Sequence, residues 1–401
     1  MHMQSVAIIG GGPSALMLAA MLDEKKYHVH IYEKNATVGR KFLVAGDGGF
    51  NLTHSEDIES FITRYTPPLF LEQALRSFTN QNLSDWLKKL GIETYTGSSK
   101  RIFPVKGIKP IEVLNAFLKK LKEINVQIHA HHEWKGWTET NALIFLNKKE
   151  QIIVDTDIAV FALGGASWTV TGSDGTWLDL FQKKGIQTIS FQASNCAYKV
   201  QWPVSFVEKN EGQWLKNISV STENQVKQGE LVITKFGLEG GAVYALSPLL
   251  RKQLLTNGFV KIFIDFKPTF SKEELIQKLS IKTTKSLTQV LSVELKLTDT
   301  QIALLKAFVS KEDFLNLEKL ASAINSFSIS LIGTAPIDEA ISTVGGIALS
   351  EVDENFQLHK LPNQYVIGEM LDWDAPTGGY LLQGCFSMGA WLAGKLNKTF
   401  N

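Results

Sequence analysis

Apolar positions open the chain in two different rhythms. Residues 6–9 (VAII) are a short β-prone run that stops at Gly10-Gly11-Gly12. Residues 16–22 have helical character, and residues 28–33 alternate so that Val29 and Ile31 share one face. Strand, tight turn, helix and strand in that order predict the start of a parallel α/β sheet. Farther on, Leu83, Trp86, Leu87 and Leu90 repeat at helical spacing and Gly91 follows as a stop. Val113, Leu114, Phe117, Leu118 and Leu121 repeat the pattern. Residues 126–130 and 152–162 are expected to return to the sheet as strands. Residues 191–265 carry short β-like runs between turn residues, and residues 271–330 turn polar and helical. After about 340 the α/β alternation resumes and ends in a helix expected from about 379 to 396.

These textures predict a nucleotide-binding domain made from both ends of the chain, residues 1–190 and 335–401. A β-rich unit at 191–268 and a small helical unit at 269–334 are inserted. A length of 401 residues suits more than one domain. Lysine plus arginine number 41 against 40 acids. That balance argues against a broad nucleic-acid or anionic-membrane surface, so neither partner is expected. Two cysteines, far apart and without CxxC spacing, fit a reducing, cytoplasmic setting. No apolar run approaches the ~18 residues of a membrane span.

The chemistry concentrates in three glycine-rich places. Gly10 to Ala15 read GGGPSA, the form GxGxxA between a strand and a helix. Gly10 permits the tight turn, and Gly12 lets a pyrophosphate approach the backbone. Ala15 keeps the helix close to the strand. Pro13 and Ser14 open a helix whose free N–H groups attract phosphate. Glu33 closes the second strand about twenty residues on, where a carboxylate accepts from ribose hydroxyls and disfavours a 2′-phosphate. Lys34 stands beside it. The fingerprint alone does not separate NAD from FAD. A second loop places Arg40 and Lys41 ahead of Gly46, Gly48 and Gly49, with Asn51 and Thr53 as hydrogen-bonding candidates. Ala162 and Gly164 follow a hydrophobic strand. The third place is a strand end at Gly368-Glu369, with Asp372 beyond and Gly378-Gly379-Tyr380 opening the last helix. An acid there can meet ribityl hydroxyls, and the helix start can face a flavin pyrimidine.

With these segments in view the resemblance is specific. Residues 39–46 (GRKFLVAG), 101–104 (RIFP), 162–167 (ALGGAS), 229–234 (GELVIT), 237–240 (GLEG) and the stretch from Gly345-Gly346 to Gly379 occur in family order. The chain resembles the BaiN/YhiN-like, or aminoacetone oxidase-like, family of NAD(P)/FAD-dependent oxidoreductases over about 5–394. The resemblance implies FAD and a Rossmann-like two-part FAD-binding domain with an inserted β-barrel and a small helical domain. Two places depart from the family: Gly49-Phe50 stand where arginine and cysteine are usual, and Gly240-Gly241 where Gly-Pro is usual. These mark a distinct subgroup.

The expected activity is hydride transfer between NAD(P)H or a small organic substrate and an acceptor through the flavin. An oxygen-using amine or aminoketone oxidase and a flavoprotein with a non-redox binding role are the alternatives. No second GxGxxG is present, so NAD(P)H is expected to dock transiently, with Lys100, Arg101 and Phe103 as candidates. His129, His131 and His132 are not read as a metal site, because adjacent strand positions point to opposite faces. Trp134 and Trp137 are read as core, and Cys385 as a buried inert thiol. No catalytic acid or base is assigned.

Overall fold

The computed structural model describes residues 3–44, 50–281 and 284–399. The chain divides into two compact units, Met1–Gln192 with Ile341–Asn401, and Ala193–Ala340.

The first unit is built on a five-stranded parallel sheet. Its order is Gln364–Val366, Ile158–Phe161, Gln4–Ile9, Tyr27–Tyr32, Gln127–His129. The central strand is apolar without alternation because both faces are covered: Val6, Ala7, Ile8 and Ile9 are all at most 1% exposed. From it the chain moves to Tyr27–Tyr32 on one side and only later returns to Ile158–Phe161 on the other. The carboxyl ends of these strands therefore part around a crevice at the point where strand order reverses. The helix Pro13–Met21 lies against the final helix Tyr380–Thr399. A side chain at Gly389 would sit 2.5 Å from the Ser14 carbonyl oxygen, so a glycine lets the two backbones meet.

The apolar run at 152–162 is not one strand. Glu150–Val154 completes a three-stranded antiparallel sheet with Glu133–Trp137 and Leu143–Asn147. The polar Asp155-Thr156-Asp157 turns the chain, and the Asp157 carboxylate accepts from the Ser5 N–H and hydroxyl, both at 2.8 Å. Ile158–Phe161 then enters the parallel sheet.

The second unit holds a six-stranded antiparallel sheet that runs from Tyr198–Lys199 to Phe327–Leu331. Beyond the last strand, Ile332 donates to the Lys199 carbonyl and Lys199 to the Gly333 carbonyl, so the sheet curls back on itself. Helices Val204–Asn210 and Ser247–Asn257 interrupt the stretch expected as β. The helices between Lys272 and Asn325 share one apolar core with this sheet, joining Ile262 and Ile264 to Leu320 and Ile324. Short helices of this kind cannot bury an apolar stripe alone. Among the described residues no helix is long and apolar enough to cross a membrane.

Candidate functional site

At the crevice of the parallel sheet lies a cleft of about 370 Å³, within the range of ligand sites. Its floor is the glycine turn. Gly10 has φ +102°, and a Cβ there would lie 2.4 Å from the Ala162 carbonyl oxygen. Ala162 in turn donates to the Ile9 carbonyl at 2.8 Å, which fixes the second wall against the first. Gly12 has open space where its Cβ would be, with no atom nearer than 3.9 Å. Gly12, at the cap position, has no side chain to cap the helix that follows, which leaves its first-turn N–H groups for a ligand. Pro13, at the start of this helix, lacks an N–H where none is needed.

Glu33 is 9% exposed and heavily engaged. Its Oε2 accepts from the Gly11 N–H at 2.9 Å, and its Oε1 from the Asn35 N–H at 2.9 Å and side-chain amide at 2.8 Å. A carboxylate has about four acceptor positions, so about one remains for a ligand hydroxyl. Gly11, which the fingerprint leaves free, is also constrained. A Cβ there would lie 2.4 Å from Val38 Cγ1.

The three cations singled out by the sequence are held. Lys34 Nζ pairs with Asp174 at 2.6 Å. Burial works to raise the Asp174 carboxyl, but the hydrogen bonds from Lys34 and Thr176 prevail and hold it below its ordinary value. Arg40 donates to the Asn35 side chain at 2.6 Å and the Val170 carbonyl at 3.0 Å. Lys41 Nζ donates to Ser167 Oγ at 2.9 Å and pairs with Glu369 at 3.2 Å. Gly368 has φ +80° and sits beside Ser14 Oγ. Cys385, at the cleft wall, is buried, and burial pushes its thiol up to about 12.

The cleft thus gathers Gly10, Gly12, Pro13, Ser14, Glu33, Lys34, Arg40, Lys41, Ala162, Gly164 and Glu369. Ala15 lies buried just behind, against the strand. Asp372 does not line the cleft; its carboxylate accepts from the Gly345 N–H at 2.9 Å. Gly46, Gly48 and Gly49 fall outside the described residues.

Thr53, Gly378, Gly379 and Tyr380 form a separate group within the same unit. Gly379 has φ +101° and lies on the Thr53 backbone, where a Cβ would come within 2.5 Å. Tyr380 donates to Glu56 Oε1 at 2.6 Å, and Arg64 grips the same carboxylate at 2.8 and 3.0 Å. Burial and then Glu56 raise the Tyr380 hydroxyl. Arg101 Nε would lie 3.5 Å from a Gly378 Cβ, whereas Phe103 stacks on Tyr95. Asn51, half-buried, precedes Thr53 in the chain.

Several cleft residues escaped the sequence reading. Residues 171–174 and Trp177 close one side, and Trp177 Nε1 donates to the Gly164 carbonyl at 3.1 Å. The Gly172-Ser173-Asp174-Gly175 run was a visible turn signal without a visible destination. Trp134 is 6% exposed and packs on Phe161 at 4.9 Å, as core residues do, yet it also lines the cleft. The histidines differ from expectation as well. His131 takes φ +59°, which turns the chain and brings His132 to 5.6 Å from His129.

Comparison with known proteins places this geometry. The model of the HI0933-like protein Rossmann domain matches residues 4–396. A 3-dehydro-bile acid delta(4,6)-reductase of Clostridium scindens is 23% identical over 98% of each chain. A ribosomal RNA dihydrouridine synthase of Escherichia coli is 22% identical, over 96% of this chain and 95% of that protein. Among solved structures, 3-ketosteroid delta1-dehydrogenase from Sterolibacterium denitrificans aligns over 100% of both chains. Its TM-score is 0.51 at 11% identity, a likeness of fold.

Proposed function

The chain belongs to the HI0933-like Rossmann family, and on that premise we propose that it is an FAD-dependent oxidoreductase reducing a carbon–carbon double bond conjugated to a carbonyl. The observation that carries the reading is the cleft at the sheet crossover, with a glycine turn, uncapped helix and engaged acid in register. Two features of the cleft support the fit to FAD: the space left open at the Gly12 backbone, and Trp134, a cleft-lining side chain whose Nε1 has no hydrogen-bond partner among the described residues.

Bound there, FAD supplies hydride chemistry. The chain's own residues do the rest. The first-turn N–H groups after Gly12 would neutralise the diphosphate, and the absence of a side chain at Gly12 lets it approach the backbone. Glu33 orients a ribose through its remaining lone pair. Lys41, anchored by Glu369, holds positive charge beside the ligand without leaving a bare cation. Glu56 and Arg64 fix Tyr380, and so the first turn of the last helix, whose N–H groups suit a developing negative charge.

The names of the two relatives support the substrate class. A delta(4,6)-reductase of a 3-dehydro-bile acid and a synthase of dihydrouridine both add hydrogen across a double bond conjugated to a carbonyl. NAD(P)H is the proposed reductant and a small molecule the proposed substrate. The test uses FAD-loaded protein reduced anaerobically with NADPH or NADH, then given a 4-ene-3-ketosteroid or uridine. Flavin reoxidation with one equivalent of product that has gained a hydride and a proton across its double bond supports the proposal. Reoxidation by oxygen alone, with peroxide and no reduced product, sinks the conjugate-reduction reading in favour of an oxidase.

A further inference from the structure

Beside the cleft stands a group of three imidazoles, two of them in direct contact. His30 Nδ1 and His129 Nε2 are 3.0 Å apart. One of them must accept, so at least one ring is neutral. The rings stack with centroids 5.2 Å apart, and His129 stacks on Tyr32 at 4.6 Å, which stacks in turn on Phe145 at 4.4 Å. His132 meets His129 edge-on, and its Nδ1 donates to the Ala130 carbonyl at 2.8 Å. Its Nε2 faces the Asn147 amide nitrogen at 3.4 Å.

Among the described residues no carboxylate figures in the interactions that shift the first two rings. The charged groups acting on His30 reduce to His28, and those on His129 to His30 and His132. Tyr32 is the remaining ionisable group in the stack. Of the nearby acids, Glu133 pairs with Lys135 at 2.6 Å and Glu33 faces Gly11 and Asn35. Burial, then the neighbouring histidines, pull the His30 and His129 rings below their ordinary value.

The backbone of this group grips the nucleotide acid. Glu33 donates to the His129 carbonyl at 2.9 Å, and His132 donates to the Glu33 carbonyl at 2.9 Å. His131 donates to the Asn35 carbonyl at 3.1 Å. His132 and Tyr32 themselves line the cleft.

We propose that the His30–His129 pair, joined to the cleft through residues 129–132, makes the nucleotide cleft acid-sensitive: it holds FAD at neutral pH and loosens its grip as the pair takes up protons. This rests on the reading of the cleft as an FAD site. With folded-state imidazoles depressed, the intact arrangement is fully stable above the ordinary value near 6.5 and weakens as pH falls through and below it. A second proton on the His30–His129 pair would set two cations at hydrogen-bonding distance. Relief comes when residues 129–132 move, and Glu33 and Asn35 move with them.

The test is the FAD dissociation constant of the whole chain, read by flavin fluorescence from pH 8 to 5.5. Each proton taken up on release weakens binding by about tenfold per pH unit. The wild type should weaken several-fold between pH 7.5 and 5.5, with the slope steepest at the acid end, and the His30→Asn/His129→Gln double variant much less. A wild-type constant that stays flat, or a variant with the same slope, overturns the proposal. Should the variant fail to fold, imidazole proton resonances of the wild type decide. Midpoints for His30 and His129 below those of exposed histidines support it, and ordinary midpoints refute it. Failure to bind FAD even at pH 8 overturns the reading of the cleft itself, whereas binding without pH dependence overturns the acid sensitivity alone.

Discussion

Replacing Glu33 by glutamine tests how the cleft is held together. The carboxylate accepts three N–H groups, one from Gly11 and two from Asn35. A glutamine presents one oxygen and one NH2. Its better orientation keeps the oxygen on Asn35 and aims its NH2 at the Gly11 N–H, leaving a buried donor facing a donor. An unmet buried donor costs about 1–3 kcal/mol, and losing the charge from the remaining bonds adds about 1 kcal/mol. The expected destabilisation is therefore about 2–4 kcal/mol, or about 5–10 °C in a unit of this size. The ligand also loses its acceptor, so FAD affinity should fall about ten- to a hundredfold. Thermal unfolding of the ligand-free chain and fluorescence titration with FAD separate the two effects. A Glu33→Gln variant that melts within a degree of wild type and binds FAD unchanged would refute the role assigned to this acid.

Other substitutions divide the remaining claims. Gly10→Ala should destabilise by about 3 kcal/mol or more, since a positive φ is joined to a backbone clash with Ala162. Gly91→Ala, with φ +82° and open space, should cost about 1–2 kcal/mol in the same unfolding assay. Thr53→Val removes a buried hydroxyl that lacks a partner. It should raise the melting temperature of the ligand-free chain, and a loss of stability would contradict the orphan reading. Cys385, raised to about 12, should resist a thiol reagent at pH 8 in the folded chain and react once it is unfolded.

What the sequence discloses follows from how local each feature is. The central strand, glycine turn and Glu33 are read directly because strand, turn and helix follow one another in the chain. The Gly11 constraint depends on Val38, which reaches it only through the fold. The wall at 171–177 is likewise invisible, because a polar turn carries no mark of the strand end it will cover. Residues 152–162 mislead because two apolar strands of different sheets abut, although Asp155-Thr156-Asp157 marks the break. The histidines mislead because strand alternation fails at His131, where positive φ reverses the chain. Trp134 shows that burial and ligand contact are compatible, a distinction that apolar periodicity cannot draw.

The most direct test of the central claim is the visible absorbance spectrum of the purified chain after equilibration with FAD and removal of free flavin. A retained flavin spectrum, with tryptophan fluorescence quenched in proportion to bound FAD, is the predicted result. A colourless protein that takes up no FAD, while remaining folded, would contradict the account at its root.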